Sequence, residues 1–225
     1  MLLNTEIVAD DGHVDTRLAQ LGLTRVGLLE ALNIGRVAAA GTTEHNPATA
    51  EGFYFWSDTY RALCDWLVPT GEWRKGKIDG RDLVVNDRLR IAVTPRSGNE
   101  HTGNEQSGND PLNPLKTRNV DGPATRRAVI ENQLVFEEVE RAVPRMASRS
   151  HHGFVTWFLL HYRDEDGAIR SELACPGSLD ASGEINGWAT RIILGEIGRD
   201  PEPYVRVDEP DAPYEPDVAV TPKSA

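Results

Sequence analysis

The stretch FVTWFLLHYRDEDGAIRSELAC at residues 154–175 indicates the fold class. Residues 154–162 are apolar at both alternating sets of positions, which is typical of a central strand covered on both faces of a sheet. The Asp-Gly pair at 166–167 indicates a tight hairpin turn, and the alternating residues 168–175 predict the return strand. NGWATRIIL at 186–194 predicts one more strand, so this third of the chain is expected to be an antiparallel meander.

Upstream of this meander, helical and strand-like segments follow one another. The clearest helix is predicted at 53–68, where apolar residues recur at helical spacing before Pro69 ends the pattern. The other segments are helical at 15–40 with Thr24 as a candidate cap, strand-like at 73–78, 83–85 and 90–94, a long polar loop at 96–122, and helical from Pro123 toward Pro144. The sequence therefore predicts an α+β fold, with an antiparallel sheet of about five strands flanked by two main helices.

Composition divides the chain into regions. We expect a flexible N-terminus at 1–14, a single α+β domain at 15–198 (a helical appendage at 15–40, a linker at 41–52 and the core at 53–198), and an acidic, proline-rich tail at 199–225. Residues 200–225 hold seven acidic and two basic residues among several prolines. Such a segment buries little apolar area, so the tail is expected to be disordered.

Charge and cysteine content narrow the class of protein. The formal net charge is −11, which argues against the broad basic surface of many nucleic-acid-binding proteins but leaves room for a local anion site. Cys64 and Cys175 are the only cysteines, too few for a disulfide framework or a four-cysteine metal site. The N-terminus lacks the apolar run of a signal peptide, and no run has the length of a membrane span. We therefore expect a cytoplasmic protein without a membrane partner.

The long loop and the helix that follows it carry the main candidate site. Free backbone N–H groups and the dipole at a helix start favour an anion, and Thr, Arg and Lys side chains would complete a phosphate or carboxylate cradle. Neither GxxxxGK[ST] nor GxGxxG is present, so the site differs from the common nucleotide-binding loops. The predicted anion-binding residues are Arg96, Thr102, Gly103, Lys116, Thr117, Arg118, Gly122, Thr125, Arg126 and Arg127.

A carboxylate on the return strand is the one candidate for catalysis. Glu172 follows Arg170 on the same side of the strand, where it would serve as a general base or a metal ligand, or would form only an ion pair across the sheet. No HxH, HExxH or GxSxG motif is present. The sequence thus predicts no metal site and no cofactor, and it leaves open whether the protein is an enzyme.

Several motifs follow one another over roughly residues 40–195: HNPATAEGFYFW at 45–56, RALCDWL at 61–67, GEW at 71–73, LVVN at 83–86, RIAVTPRSG at 90–98, HTG at 101–103, PLKTRNVDGPATRRAV at 114–129, TWFLLHY at 156–162, IRSELACP at 169–176 and WATRIIL at 188–194. In this order they resemble a set of uncharacterised bacterial proteins from phage-, plasmid- or island-borne regions. The resemblance implies a bacterial or phage cytosolic protein that is an accessory of a mobile element or acts in phage–host conflict. No activity is established for this set, so the resemblance implies no catalytic residue.

Three classes of function are open at this point. The favoured class is a non-enzymatic binding protein that recognises an anionic ligand, either a nucleotide or a nucleic-acid backbone. The first alternative is a phosphate-ester hydrolase that uses Glu172. The second alternative is an acidic interaction protein, or nucleic-acid mimic, that docks onto a basic protein partner. The sequence does not specify the oligomeric state.

Overall fold

The computed structural model of the chain describes residues 5–110, 113–119, 122–141 and 153–198. The α-helices among these residues are α1 (Asp11–Gln20), α2 (Arg25–Ala40), α3 (Ala50–Leu67) and α4 (Pro123–Arg141), and a 3-10 turn at Val68–Thr70 follows α3. The strands are β1 (Glu6–Val8), β2 (Trp73–Ile78), β3 (Arg81–Asn86), β4 (Ile91–Ser97), β5 (Asn109–Asp110), β6 (Asn113–Pro114), β7 (Val155–Arg163), β8 (Ile169–Leu179) and β9 (Ile185–Ile197).

Seven of these strands form one mixed sheet in the order β1-β9-β8-β7-β4-β3-β2, which confirms the α+β class. The hairpins β3–β4, β7–β8 and β8–β9 are antiparallel, as predicted. β4 and β7 are parallel, however, with Ser97 opposite His161, so the prediction of an antiparallel sheet of about five strands was wrong in direction and number. The physical reason is the long connection through α4, because a tight turn can join only antiparallel strands whereas a crossover can join parallel ones.

The N-terminal region belongs to the same folded unit. β1 pairs in parallel with β9 at one edge of the sheet. Val14 and Leu18 of α1 are fully buried in the main hydrophobic core. The expectation of a flexible N-terminus at 1–14 is therefore wrong for residues 5–14, and the segment 15–40 is part of the core rather than an appendage.

Helices α1, α2 and α3 cover one face of the sheet. Buried leucines of α2 and α3 belong to one core with Trp157 and Leu159 of β7. The Gly27 amide donates a hydrogen bond to Thr24 Oγ1 (3.1 Å), which confirms Thr24 as the cap of α2. The predicted helix at 53–68 is confirmed, but it begins three residues earlier, inside the segment expected to be a linker.

Helix α4 and the segment before it cover the opposite face. Leu115 and Val129 share a core with Phe158 and Leu160 of β7. Trp188 Nε1 donates to the Leu115 carbonyl (2.9 Å), which ties this segment to β9. Both faces of β7 are therefore buried, as its continuous apolar sequence predicts.

Two sequence predictions concern the tail and the location of the protein. The tail predicted at 199–225 lies outside the described residues, so its expected disorder stays a prediction. Within the described residues, no helix combines the length and the apolar character that a membrane span requires. The predicted cytoplasmic location also stays a prediction.

Candidate anion-binding site

A cleft lies at the edge of the sheet where the parallel strands β4 and β7 both end. Ser97 is the last residue of β4 and Arg163 is the last residue of β7, and the start of α3 and the start of β3 also line the cleft. The cavity has a volume of about 1060 Å³. Ligands commonly bind at the carboxyl ends of parallel strands, because the chain segments that leave the sheet diverge there and form a crevice.

Two arginines lie together on one side of the β3–β4 pair. Burial, and then the like charge of Arg96, lower the pKa of Arg81. Arg96 Nη1 donates to Thr125 Oγ1 in the first turn of α4 (2.8 Å). Arg81 Nε and Nη1 are buried and have no hydrogen-bond partner among the described residues. Two cations beside a helix start, one of them with unsatisfied donors, favour the binding of an anion.

Ser97 and His161 lie on the other side of the sheet at the same cleft, because successive residues of a strand point to opposite faces. Ser97 Oγ is 3.2 Å from His161 Nε2. Phe55 of α3 stacks on the imidazole, with the two ring centroids 4.0 Å apart. Burial, and then the charges of Arg163 and Arg118, lower the pKa of His161 to about 3. His161 is therefore neutral near pH 7, and it offers a polar group without adding charge.

The other charged residues of the cleft are of both signs. Arg118 is exposed and lines the cleft. Arg163 Nη1 donates to Glu51 Oε1 in the first turn of α3 (2.7 Å), and Asp82 and Asp164 are also lining residues. The cleft is thus only mildly basic, so a preference for anions depends on where its arginines stand rather than on total charge.

Two aromatic rings at the start of α3 form an apolar part of the cleft wall. The rings of Phe53 and Trp56 have centroids 6.1 Å apart, and both residues line the cleft. Phe53 is 57% exposed, which is unusual for a large apolar side chain. Stacking of a planar ligand group on an exposed ring of this kind is favourable, because it removes the ring from water.

The structure brings some of the sequence-predicted anion-binding residues to this cleft. Arg96 and Arg118 line it, and Thr125 positions the Arg96 guanidinium. Gly122 directly precedes α4, and its carbonyl accepts a hydrogen bond from an amide of the first turn. Thr117 Oγ1 donates to a nearby backbone carbonyl of its own loop (3.1 Å) and does not line the cleft.

The other predicted cations have their own neighbours away from the cleft. Lys116 Nζ lies 3.5 Å from Glu184 Oε2. Arg127 Nε donates to Asp79 Oδ2 (2.8 Å). The Arg126 guanidinium lies against the turn before β9. Lys116 and Arg126 thus both lie at the turn before β9, whereas Arg127 pairs with Asp79, and none of the three lines the cleft.

Thr102, Gly103 and Glu172 lie in a buried layer between the loop and β8. Thr102 and Glu172 are fully buried. The Gly103 amide donates to Glu172 Oε2 (3.3 Å), and Gly103 has a φ of 71°, a conformation that favours glycine. Glu172 Oε2 also accepts from Arg191 Nη2 (2.7 Å), whereas Arg170 Nη2 donates to the backbone carbonyl of residue 100 instead (2.8 Å). Glu172 thus holds the loop on the sheet, and we do not include it in the candidate site.

The sequence did not single out Arg81, Ser97 and His161 as members of one site. The available signals were a histidine in an otherwise apolar strand and an Arg-Ser pair at the end of another strand. The residues that give these signals lie side by side only because β4 and β7 are parallel, with Ser97 opposite His161. An antiparallel arrangement, which we expected, would place the ends of the two strands at opposite edges of the sheet.

Neither a group of metal-binding side chains nor a similar known protein indicates the function of this cleft. In the part of the chain that the structure describes, no three His, Cys, Asp or Glu side chains are grouped as ligands of a metal ion would be. The resemblance to proteins of phage-, plasmid- or island-borne regions stays a prediction. Comparison of the chain with protein-family models, with curated proteins and with solved structures found no match.

Proposed function

We propose that the protein is a non-enzymatic binding protein whose ligand is a nucleotide held in this cleft. The phosphates lie against Arg81 and Arg96 beside the start of α4, and the base lies against the rings of Phe53 and Trp56. One observation carries the proposal: Arg81 has two buried guanidinium nitrogens without a partner in the described residues, and it lies next to a second arginine.

An anion would relieve an unfavourable arrangement in the free protein. A buried donor left unsatisfied costs about 1–3 kcal/mol, and a charged donor costs more. Phosphate oxygens accept two parallel hydrogen bonds from a guanidinium, and their charge offsets the repulsion between neighbouring arginines. A phosphate at Arg81 and Arg96 would therefore be bound by groups that are already partly buried and close together.

Size and charge favour a mononucleotide over a nucleic-acid backbone. A cavity of about 1060 Å³ is at the upper end of the range for small-molecule sites. A nucleic-acid-binding surface needs basic residues along an extended track, whereas this chain has a net charge of −11. The exposed Phe53 ring supports a ligand that carries a planar base as well as phosphate.

Calorimetric titration with ADP, ATP and inorganic phosphate, at low and moderate salt, tests the proposal. We expect the nucleotides to bind more tightly than phosphate, because only they contact the rings. Arg81→Gln should weaken ADP binding by about tenfold or more. Arg88→Gln is the matched control, because Arg88 is exposed, lies 3.3 Å from Glu72 and does not line the cleft. It removes the same charge and should change the affinity by less than about twofold.

Other outcomes of these titrations would favour a different function or contradict the proposal. Equal losses from the two variants would show that binding depends on net charge rather than on the cleft. A single-stranded oligonucleotide that binds more tightly than ADP would favour the nucleic-acid form of the hypothesis. Hydrolysis of ADP would favour an enzyme. If nothing anionic binds at low salt, the proposal fails, and an acidic interaction protein becomes the better hypothesis.

A further inference from the structure

Ser97 and His161 make a contact that arginine-based anion binding does not explain. Their side chains share one hydrogen bond, with Ser97 Oγ 3.2 Å from His161 Nε2. The backbone on both sides is fixed, because the Gly98 amide donates to the His161 carbonyl (2.9 Å) and the Arg118 amide donates to the Ser97 carbonyl (2.9 Å). Phe55 stacks on the imidazole from the helix side. The pair is therefore held in one geometry at the wall of the cleft.

The direction of this hydrogen bond follows from the second ring nitrogen. His161 Nδ1 is buried and has no partner among the described residues. The neutral imidazole carries one proton, and buried N–H groups without an acceptor are rarer than acceptors without a donor. We infer that the proton lies on Nε2, so that Nε2–H donates to Ser97 Oγ.

A serine whose oxygen accepts a hydrogen bond still has its own proton to donate. Within the described chain, Ser97 Oγ has no hydrogen-bond partner other than His161, and Ser97 lines the cleft beside Arg118. We propose that Ser97 donates a hydrogen bond to a phosphate oxygen of the bound ligand, and that His161 is a positioning residue that fixes the direction of this donation. The inference rests on the proposed nucleotide-binding function and adds a second phosphate-binding group, on the α3 side of the sheet.

The direction of the hydrogen bond also separates this pair from a catalytic dyad. A serine activated for nucleophilic attack needs Nε2 as the acceptor of its proton, and a third group must hold Nδ1–H. His161 has no such third group among the described residues. The Ser97–His161 pair therefore selects ligands whose oxygens only accept hydrogen bonds, as those of an ionised phosphate do.

NMR of the imidazole nitrogens in the full chain tests the proton's position without any ligand. We expect His161 to show a protonated Nε2 and an unprotonated Nδ1, unchanged between about pH 5 and pH 8. The chain has six histidines, and loss of one set of signals in His161→Gln identifies the relevant one. An unprotonated Nε2 would overturn the inference, because Ser97 would then donate to His161 and not to a ligand.

Titration of the variants with ADP tests the ligand contact. Ser97→Ala should weaken ADP binding by about tenfold, the usual loss for a hydrogen bond to a charged group. His161→Gln should lose less affinity than His161→Leu, because the glutamine amide can still donate to Ser97. Thermal unfolding of each variant checks that the fold is intact. If a His161 variant does not fold, ADP binding by Ser97→Ala is sufficient to test the contact.

The possible results distinguish this inference from the proposed function. If Ser97→Ala binds ADP as the parent does while Arg81→Gln does not, nucleotide binding stands and the Ser97 subsite is wrong. If the parent binds no ADP, both proposals fail. Covalent labelling of Ser97 by a fluorophosphonate would also overturn the inference, because only an activated serine reacts readily with such a probe.

Discussion

Arg191 and Arg81 both have buried guanidinium nitrogens, but their surroundings differ. Arg191 is fully buried, and its guanidinium donates to Glu172 (2.7 Å) and to backbone carbonyls of the loop before β5, including that of Ser107 (2.7 Å). Arg81 has two buried nitrogens without a partner among the described residues, and the like charge of Arg96 lies nearby. Arg191 thus has its partners among the described residues, whereas two nitrogens of Arg81 have no hydrogen-bond partner there, with the charges of Asp79 and Glu131 nearby.

This difference in hydrogen-bond partners distinguishes an arginine that stabilises the fold from one that can bind a ligand. Moving a charge out of water costs several kcal/mol, and only paired charges and hydrogen bonds offset this cost. Arg191 obtains them from Glu172 and from the loop that covers β8 and β9. Arg81 would obtain them from a bound anion, so ligand binding should stabilise the fold through this residue.

The same substitution at the two arginines should have opposite effects, and the larger is at Arg191. Arg191→Met leaves Glu172 buried without its partner, so we expect the free energy of unfolding to fall by about 3–5 kcal/mol. Urea denaturation at pH 7 measures this loss. The double variant Arg191→Met with Glu172→Leu should be more stable than the single variant, because no buried charge remains. A loss below about 1 kcal/mol in the single variant would contradict the structural role.

His161 extends the comparison to a buried group that titrates. Because its pKa is lowered from 6.5 to about 3, the unfolded chain takes up this proton first as the pH falls. The stability due to neutral His161 is therefore fully present above pH 6.5 and is lost toward pH 3. Between pH 7 and about pH 4.5 the loss should be about 2–3 kcal/mol. Denaturation curves of the parent and of His161→Gln give this term as the difference in their pH dependence, and identical slopes would contradict it.

Arg81→Met should have the smallest effect on stability, with the opposite sign to Arg191→Met. Removing a partly buried charge, two of whose nitrogens have no hydrogen-bond partner among the described residues, should leave the free energy of unfolding unchanged or raise it by up to about 1 kcal/mol. The measurement is the same urea denaturation, without ligand. Adding ADP should raise the stability of the parent more than that of Arg81→Met at the same ADP concentration. A variant clearly less stable than the parent would show that Arg81 has a structural role like that of Arg191.

Much of the secondary structure could be predicted from local patterns. The helix at 53–68, the strands at 73–78 and 154–162 and the cap at Thr24 all follow from spacing and turn residues, which act over a few residues. The direction of β7 relative to β4 did not follow, because it depends on a crossover of more than fifty residues. β1 was missed because three residues with one pairing partner give no periodic signal.

The candidate site was predicted in part, for a related reason. A helix start with basic residues indicated an anion, and Arg96 and Arg118 do line the cleft. Lys116 and Arg127 pair with acids that are distant in the sequence, and no local pattern reports such pairs. Arg81 belongs to the site because the antiparallel pairing of β3 and β4 places it beside Arg96.

We could predict the α+β class, the hairpins and an arginine-rich helix start from the sequence, because each depends on neighbours within a few residues. Only the folded chain shows which arginines share a cleft, that Glu172 pairs with Arg191, and that Ser97 lies opposite His161. The physical reason is that burial and pairing of charges depend on contacts between residues far apart in the chain. A buried charge lowers the stability of the fold unless it is paired, and the fold determines whether its partner is another residue or a bound ligand.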